Sequence, residues 1–447
     1  MENHSTRQYS VTDEWMVATV FGLTIVGYPI AGLAAILFDV PSKMTSVPFR
    51  LVVLALSFVV IARSIMAWRA NLLQISLLGF LLAYLVRLSI DSSLPEPMGA
   101  DSALLFFVVT VFVPVFALTV STQYWSARRA ASVVLFMGAL ATTVALLFYA
   151  FDYGGNRNLS QTTGRLSFET VNAITLGHTA VSTLIAAFSR MVFPKVLRLS
   201  CGFVVIGCGA LELVILSGSK GPVMALVLVI VFCLLVLRRS KERRILILML
   251  MGLLGFLSMQ HIVDRALKAV MEIGQQHISS DVREKDTKKG QVPPQTSVTS
   301  TSEHQDVALR FVNVDKDWST RERIHLWSAT LKQIRKDPWF GSSYVEQQSK
   351  TYPHNLLLET WMALGIFALS LVGMLFFYGI QYACNGISVG SPFNPMIFVQ
   401  FMIFAMFSGA IFGEAQLWLA LAVLIAQPAA PFRPGGSSIL ERLHWHT

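Results

Sequence analysis

The sequence predicts an all-α, polytopic membrane protein. Apolar residues make up 54% of the 447-residue chain and charged residues only 14%, and the mean hydropathy is +0.59. Ordinary soluble domains have roughly 45–50% apolar and about 25% charged residues. The apolar residues fall in continuous blocks of about 17–25 residues, the length of an α-helix that crosses a hydrocarbon layer. This pattern excludes a soluble enzyme, and it excludes a membrane barrel, whose strands alternate apolar and polar residues.

The apolar blocks predict about twelve transmembrane helices. Their predicted bounds are 15–38, 49–67, 72–90, 102–121, 131–150, 170–189, 198–217, 222–237, 245–260, 355–380, 396–413 and 415–428. Nine spans therefore occupy 15–260 and three occupy 355–428, with tails at 1–14 and 429–447. The first apolar run is too long for a cleavable signal, so the first span is predicted to be a retained anchor.

Basic residues predict the orientation of these spans. The densest basic cluster, 238–244, follows the eighth span, and the positive-inside bias places it in the cytoplasm. Alternation then puts both tails in the cytoplasm and gives the short outer turns few cations, namely Lys43, Arg50, Arg87, Arg157, Arg165 and Lys220. The net charge of +9 is thus attributed to membrane topology, and no nucleic-acid partner is expected.

A polar segment, 261–354, interrupts the pattern and is predicted to be a long periplasmic loop that carries amphipathic helices. Its middle, 281–306, is polar and poor in aromatic residues, which predicts a mobile segment. Apolar residues then recur at helical spacing, at Ile324, Trp327, Leu331 and Ile334. This spacing, ended by Asp337 and Pro338, predicts a helix over 320–336 that lies on the membrane or on the helix bundle.

Candidate site residues flank the point where the chain re-enters the membrane. His354 and Asn355 open the tenth predicted span, and Arg323 and Trp327 share a face of the preceding helix. A histidine at a helix start is often only an interfacial residue, and an arginine can extend to lipid headgroups. Asn355 is expected to cap the helix. Glu359 lies about 140° around the helix from His354, which favours a packing role over a catalytic pair.

The turn SGSKGP, 217–222, is a second candidate. Gly218 and Gly221 permit close backbone approach, and Pro222 suits the first position of a helix. Lys220 beside that helix N-terminus would bind an anion. The alternative is a tight glycine turn whose lysine merely reaches the interface, and the spacing is not that of a P-loop.

Arg165 and Glu414 complete the candidates, at the outer ends of the sixth and eleventh predicted spans. All lie on one predicted side of the membrane, where cations could neutralise a diphosphate and a histidine could take a proton. No metal-binding motif is visible, and the four cysteines lie in or beside apolar blocks. No metal and no cofactor are therefore expected.

Four sequence motifs together resemble the O-antigen ligase and O-antigen polymerase superfamily. They are SGSKGP (217–222), RIHLW (323–327), DPWFGSS (337–343) and HNLLLETWMALGIFAL (354–369). Members transfer a glycan from an undecaprenyl-diphosphate carrier, either to lipid A-core or to another carrier-linked repeat. The resemblance implies a bacterial inner-membrane enzyme whose active site faces the periplasm.

The family's functional residues carry over unevenly. The family's loop histidine matches His354, and the arginine of its R-x-x-x-W stretch matches Arg323. The arginine of its glycine turn is replaced by Lys220, which keeps the charge and loses the bidentate fork. After Arg165 only Asn172 remains of the Asn-Pro-Asn-like residues.

The sequence therefore predicts a metal-independent, inverting glycosyltransferase, with O-antigen ligation favoured and repeat-unit polymerisation as the alternative. Its partners would be the carrier-linked glycan, an acceptor on lipid A-core or on a second carrier, and membrane lipids. A transporter of lipid-linked glycans is an alternative, and it would place cations at mid-membrane depth or show paired repeats. A membrane sensor is a second alternative, in which the charged motifs would have no common function.

Overall fold

A computed structural model describes residues 11–93, 100–151, 166–168, 170–192, 201–237, 318–388 and 391–426. Within these ranges the chain is helical and contains no strand, apart from two isolated β-bridges. Twelve helical segments are numbered here in chain order: α1 Val11–Leu37, α2 Ser42–Ser64, α3 Leu72–Ser92, α4 100–120, α5 Ala127–Ala150, α6 Ala173–Val192, α7 Cys201–Leu216, α8 Lys220–Val236, α9 Trp318–Lys336, α10 Leu356–Ser388, α11 Phe393–Phe407 and α12 Ala415–Ala426.

Membrane-spanning helices are confirmed, whereas the predicted number of spans is not. Six helices of the described ranges, α1 to α5 and α10, are long and apolar enough to cross a membrane. The helices α7, α8, α11 and α12 are apolar and shorter. The predicted span 245–260 lies outside the described residues, as do 281–306 and most of the two predicted tails. The described residues are helical and include several candidate membrane spans, as expected of a multi-pass membrane protein, and the figure of twelve spans stays a prediction.

Polar contacts at one end of the bundle agree with the predicted alternation. Asp13 forms an ion pair with Arg63, and Glu14 lies 3.3 Å from Arg129. These contacts join the start of α1 to the end of α2 and the start of α5. All four residues fall on the predicted cytoplasmic side.

The opposite end of the bundle is held together in the same way. Arg87 and Asp91 form an ion pair of 2.6 Å at the end of α3, and an Asp91 carboxylate oxygen accepts a hydrogen bond of 3.0 Å from the Tyr344 backbone N–H. The backbone N–H of Leu166 donates to the Leu216 carbonyl at 2.9 Å. Segments predicted to be outer therefore share one end of the molecule.

The last helix, α12, is buried on all sides rather than exposed to lipid. Its residues from Leu417 to Ile425 are all buried, and it contacts α3, α4, α10 and α11. A helix of 12 residues is about 18 Å long, which is shorter than the hydrocarbon layer of roughly 30 Å. The predicted span 415–428 thus corresponds to a short central helix, around which longer helices pack.

Helix α9 is present where predicted, with a different buried face. Of the predicted apolar positions, Ile324 and Leu331 are exposed. The buried residues are Leu326, Thr330, Gln333 and Ile334. The predicted stripe is confirmed at Ile334 and wrong at Ile324 and Leu331. Gln333 turns inward instead, where its amide donates to Ser342 Oγ at 2.9 Å and accepts from the Gln347 backbone N–H at 2.9 Å.

Helix α10 is broken near its N-terminal end, and the preceding loop fills the break. Gly365 has φ +80° and ψ −174°, which is not helical. The freed N–H of Ile366 donates to the Pro338 carbonyl at 3.0 Å, and the Met362 carbonyl accepts from the Ser342 N–H at 2.8 Å. Because unpaired backbone groups are costly in an apolar environment, this exchange holds the loop segment 338–342 against α10.

Two glycines permit this close contact. A Cβ on Gly365 would lie 1.9 Å from the Trp339 carbonyl oxygen, and a Cβ on Gly341 would lie 2.5 Å from the Ala363 carbonyl carbon. Both residues have positive φ, 80° and 71°. Glycine is required at each position by backbone conformation and by space together.

We predict that Gly365→Ala destabilises the protein, by about 1–3 kcal/mol for the backbone strain alone and further for the steric overlap. Gly373→Ala is the matched control in the same helix, because its Cβ would meet nothing within 4 Å. Alanine there should be neutral or stabilising by about 0.5–1 kcal/mol. Thermal unfolding of the two purified variants in detergent compares them, and equal melting temperatures would contradict the assigned role of the break.

Candidate functional site

A cavity of about 560 Å³ lies where the predicted outer ends of the helices meet. Its walls come from α1, α2, α4, α6, α9 and α11, from the start of α12 and the turn before it, and from the loop between α9 and α10. Both π-helical segments, Leu23–Gly27 in α1 and Val108–Phe112 in α4, contribute wall residues. Such π segments are frequent at functional sites. The ionisable side chains of the described lining include Arg50, His178, Arg323, His354 and Glu414.

The C-terminal end of α11 collects two of the predicted site residues. The Arg323 guanidinium donates to the Phe407 carbonyl and to Ser408 Oγ at 3.4 Å. The Asn355 side-chain amide donates to the Met406 carbonyl at 2.9 Å. The last carbonyls of a helix lack partners within it and carry partial negative charge, so α11 draws a cation and an amide donor to one place.

His354 lies beside this helix end in a strained conformation. Its φ is +53°, an uncommon value for a residue other than glycine and one that often marks a functional position. Its ring packs 4.3 Å from the Tyr352 ring and forms a hydrogen bond with the Ser408 backbone. Burial, and after it the charge of Arg323, lower the pKa of His354 below its ordinary value of 6.5. The imidazole is therefore neutral at pH 7 and able to accept a proton.

Trp327 and Asn355 hold the chain on either side of His354. The Trp327 indole N–H donates to the Pro353 carbonyl at 2.8 Å. The Asn355 Oδ1 accepts from the Leu358 backbone N–H at 3.0 Å, which is the capping contact expected of it. Because the residues before and after His354 are both fixed, its unusual backbone conformation is maintained.

Two glutamates lie deeper in the same region with different surroundings. Glu359 accepts hydrogen bonds from the Tyr84 hydroxyl at 2.6 Å and from the Ile411 backbone N–H at 3.1 Å, so it packs within the bundle as expected. Glu414 precedes α12, is 4% exposed and lines the cavity. Its Oε2 atom has no hydrogen-bond partner among the described residues.

The glycine turn lies behind the cavity wall rather than on it. Gly218 has φ +55°, and α8 begins at Lys220, two residues before the predicted start at Pro222. Lys220 is not part of the described cavity lining. A Cβ on Gly221 would lie 3.6 Å from His178 Nε2, an ordinary contact that does not require glycine. His178 in α6 lines the cavity next to the turn. Lys220 therefore lies near the cavity without being in its described lining, and its role stays a prediction. Arg165 lies outside the described residues.

Sequence reasoning missed two residues of the cavity wall. The Arg50 guanidinium lies over the Phe106 ring at 4.7 Å and the Tyr28 ring at 5.5 Å. His178 is 4% exposed, packs 4.2 Å from the Phe404 ring, and neither of its ring nitrogens has a partner in the described part of the chain. Each of the two could have been singled out from the sequence, because an ionisable residue within a predicted membrane span is a candidate site residue.

This arrangement can neutralise an anion and accept a proton within one space. Arg323 presents a guanidinium that suits phosphate geometry. His354 is neutral at pH 7 and lies within the same lining. The aromatic and aliphatic walls suit the apolar part of a lipid substrate or the apolar face of a sugar. These are requirements of transfer from a lipid-linked diphosphate.

Comparison with known proteins supports this interpretation. No curated protein matches the chain at a significant level. A family model described as O-antigen ligase matches residues 203–373, which include the glycine turn, Arg323, His354 and the break in α10. The match supports a glycan-transfer function of the ligase or polymerase type and lipid-linked glycans as substrates in general. The match confirms, over residues 203–373, the resemblance to the O-antigen ligase and O-antigen polymerase superfamily that the sequence motifs indicate.

Proposed function

We propose that the protein transfers a glycan from undecaprenyl diphosphate to an acceptor hydroxyl at the outer face of the bacterial inner membrane. The observation that carries this proposal is the placement of His354 and Arg323 on one cavity, within the segment that matches the ligase family. We favour the ligase reaction, in which O-antigen is joined to lipid A-core. Polymerisation of carrier-linked repeats uses the same donor and is the alternative.

In the proposed step, His354 accepts the proton of the acceptor hydroxyl. The hydroxyl oxygen forms a bond to the anomeric carbon of the donor, and the bond between that carbon and the phosphate oxygen breaks. The electron pair stays on undecaprenyl diphosphate, whose charge Arg323 stabilises. Direct displacement inverts the anomeric centre. The step includes no metal, and metal independence stays a prediction.

The other candidate residues have supporting roles in this proposal. Trp327 and Asn355 position His354 through their contacts with Pro353, Leu358 and the end of α11. Lys220 at the start of α8 would act on the diphosphate from behind the wall, through the field of its charge and the helix N-terminus. Arg165 keeps the diphosphate-binding role that the resemblance implies, and Gly218, Gly221 and Glu414 keep supporting roles.

The lipopolysaccharide pattern of a deletion strain tests the function and separates the alternatives. Loss of a ligase leaves carrier-linked polymer and uncapped lipid A-core. Loss of a polymerase still allows one repeat to be attached. Uncapped lipid A-core with the lipid-linked glycan retained on the cytoplasmic side would instead favour the transporter, and an unchanged pattern would contradict the proposed function.

We predict that His354→Ala abolishes transfer when it is expressed in the deletion strain, because the proton acceptor is lost. The matched control is His325→Ala, since His325 is exposed on α9 and does not line the cavity. That variant should restore the lipopolysaccharide pattern. Both should reach wild-type membrane levels by immunoblot, and near wild-type transfer by His354→Ala would refute the catalytic role.

The lowered pKa of His354 predicts the pH dependence of kcat/KM for the acceptor. The rate should fall as the pH is lowered, with the midpoint of the decline below pH 6.5, because the protonated imidazole cannot accept a proton. Glu322 raises the pKa of His354, so Glu322→Gln should shift the acidic limb to lower pH. Initial rates in proteoliposomes measure both profiles. A limb above pH 6.5, or an upward shift in the variant, would contradict the assignment.

Arg323 and Lys220 should respond differently to exchange of one cation for the other. Arg323→Lys should reduce transfer about tenfold or more, since lysine cannot keep the two contacts at the end of α11 and face a phosphate. Lys220→Arg should be tolerated and Lys220→Ala should not, because that position supplies charge beside a helix N-terminus. Full activity of Lys220→Ala would show that its charge is dispensable.

A further inference from the structure

Arg50 is a charged residue near the outer end of a predicted membrane-spanning helix, and no ion pair joins it to the residues that the structure describes. It lies in the third turn of α2, is half-buried and lines the cavity. The three ion pairs found among the described residues do not include it. Its recorded contacts are with two aromatic rings, which offset only part of the cost of removing a guanidinium from water. A half-buried cation at the outer end of a membrane helix, with no ion pair among the described residues, suits an anionic ligand.

A row of aromatic rings connects Arg50 with His354 along the cavity wall. Arg50 lies 4.7 Å from the Phe106 ring, which lies 6.3 Å from the Phe412 ring. Phe412 is 5.5 Å from Tyr352, and Tyr352 is 4.3 Å from the His354 ring. All five residues line the cavity. Arg50 and His354 therefore border the same space, at the two ends of one apolar wall.

The charges around this space favour a ligand with more than one negative charge. Arg323 and Arg50 come from different elements, α9 and α2, and both line the cavity. The carboxyl group in the described lining belongs to Glu414, which is buried. A guanidinium binds a phosphate through paired N–H donors. Two guanidinium groups bordering one space suit two linked phosphates better than one.

We propose that Arg50 binds a phosphate group of the lipid-linked substrate, as a second cation acting with Arg323. This rests on the proposed function and names a further residue of that site. The phosphate could belong to the donor diphosphate or to a phosphorylated lipid acceptor. In either case the aromatic wall lies against the apolar or sugar part of the ligand.

Binding of a prenyl diphosphate tests the proposal with purified full-length protein in detergent. Farnesyl diphosphate should bind more tightly than farnesyl monophosphate to the wild type. Arg50→Gln should weaken diphosphate binding about tenfold and monophosphate binding less, so that the preference is lost. Arg63→Gln is the matched control, since Arg63 lies at the far end of the same helix and pairs with Asp13.

Lipid A in its diphosphorylated and monophosphorylated forms distinguishes the source of the phosphate. If Arg50→Gln weakens binding of diphosphorylated lipid A and leaves farnesyl diphosphate unchanged, the phosphate is that of the acceptor. If it weakens only the prenyl diphosphate, the phosphate is that of the donor. Unchanged binding of every probe overturns the proposal.

A protection measurement on the wild-type protein covers the case in which Arg50→Gln does not fold. Phenylglyoxal modifies accessible arginines, and peptide mass spectrometry reports the extent at Arg50. Farnesyl diphosphate or diphosphorylated lipid A should reduce modification of Arg50 severalfold, whereas farnesol should not. Equal modification under all conditions overturns the proposal. If Arg50 is protected but the deletion strain keeps a normal lipopolysaccharide pattern, the site stands and the proposed function fails.

Discussion

The unpaired carbonyls at the C-terminal end of α11 are the constraint on which the candidate site depends. A helix that ends within an apolar bundle must find donors for its last carbonyls. Here Asn355 and Arg323 supply them at Met406 and Phe407, and His354 bonds to the Ser408 backbone. Arg323, His354 and Asn355 lie within 32 positions of one another in the sequence. The end of α11 brings α9 and the start of α10 to the same point. The hydrogen bonds to the end of α11 thus place a cation, Arg323, close to a base, His354.

The break in α10 fixes the segment 338–342 of the loop, again by offering backbone groups that need hydrogen-bond partners. Gly365 frees a carbonyl and an N–H, and the segment 338–342 takes both. Asp91 holds the backbone of Tyr344 from the side of α3. The loop is therefore bound at several points between α9 and α10, and Trp327 completes the arrangement at Pro353. A loop fixed in this way can hold His354 at positive φ, which a free chain would rarely adopt.

The cavity combines apolar walls with cations, and this combination limits what can occupy it. A low-dielectric wall strengthens the field of Arg323 and Arg50, so a phosphate would gain more there than at an open surface. Burial against this wall lowers the pKa of His354, and the charge of Arg323 lowers it further. The apolar wall and Arg323 therefore favour both the binding of an anion and the neutral form of His354, which can accept a proton. A ligand with a lipid tail and a phosphate satisfies both the wall and the charges.

The sequence by itself determined the helical membrane class and which helix ends lie together, because apolar length and charge position depend only on local composition. It also marked Arg323, His354 and Asn355 as candidate site residues. Only the tertiary structure decided which face of α9 is buried, that α12 is a short central helix, that Lys220 lies behind the wall, and that Arg50 lies on it. These features depend on the rotation and depth of each helix against its neighbours. Such long-range packing is set by hydrogen bonds such as those of Gln333 and Ile366, which periodicity does not reveal.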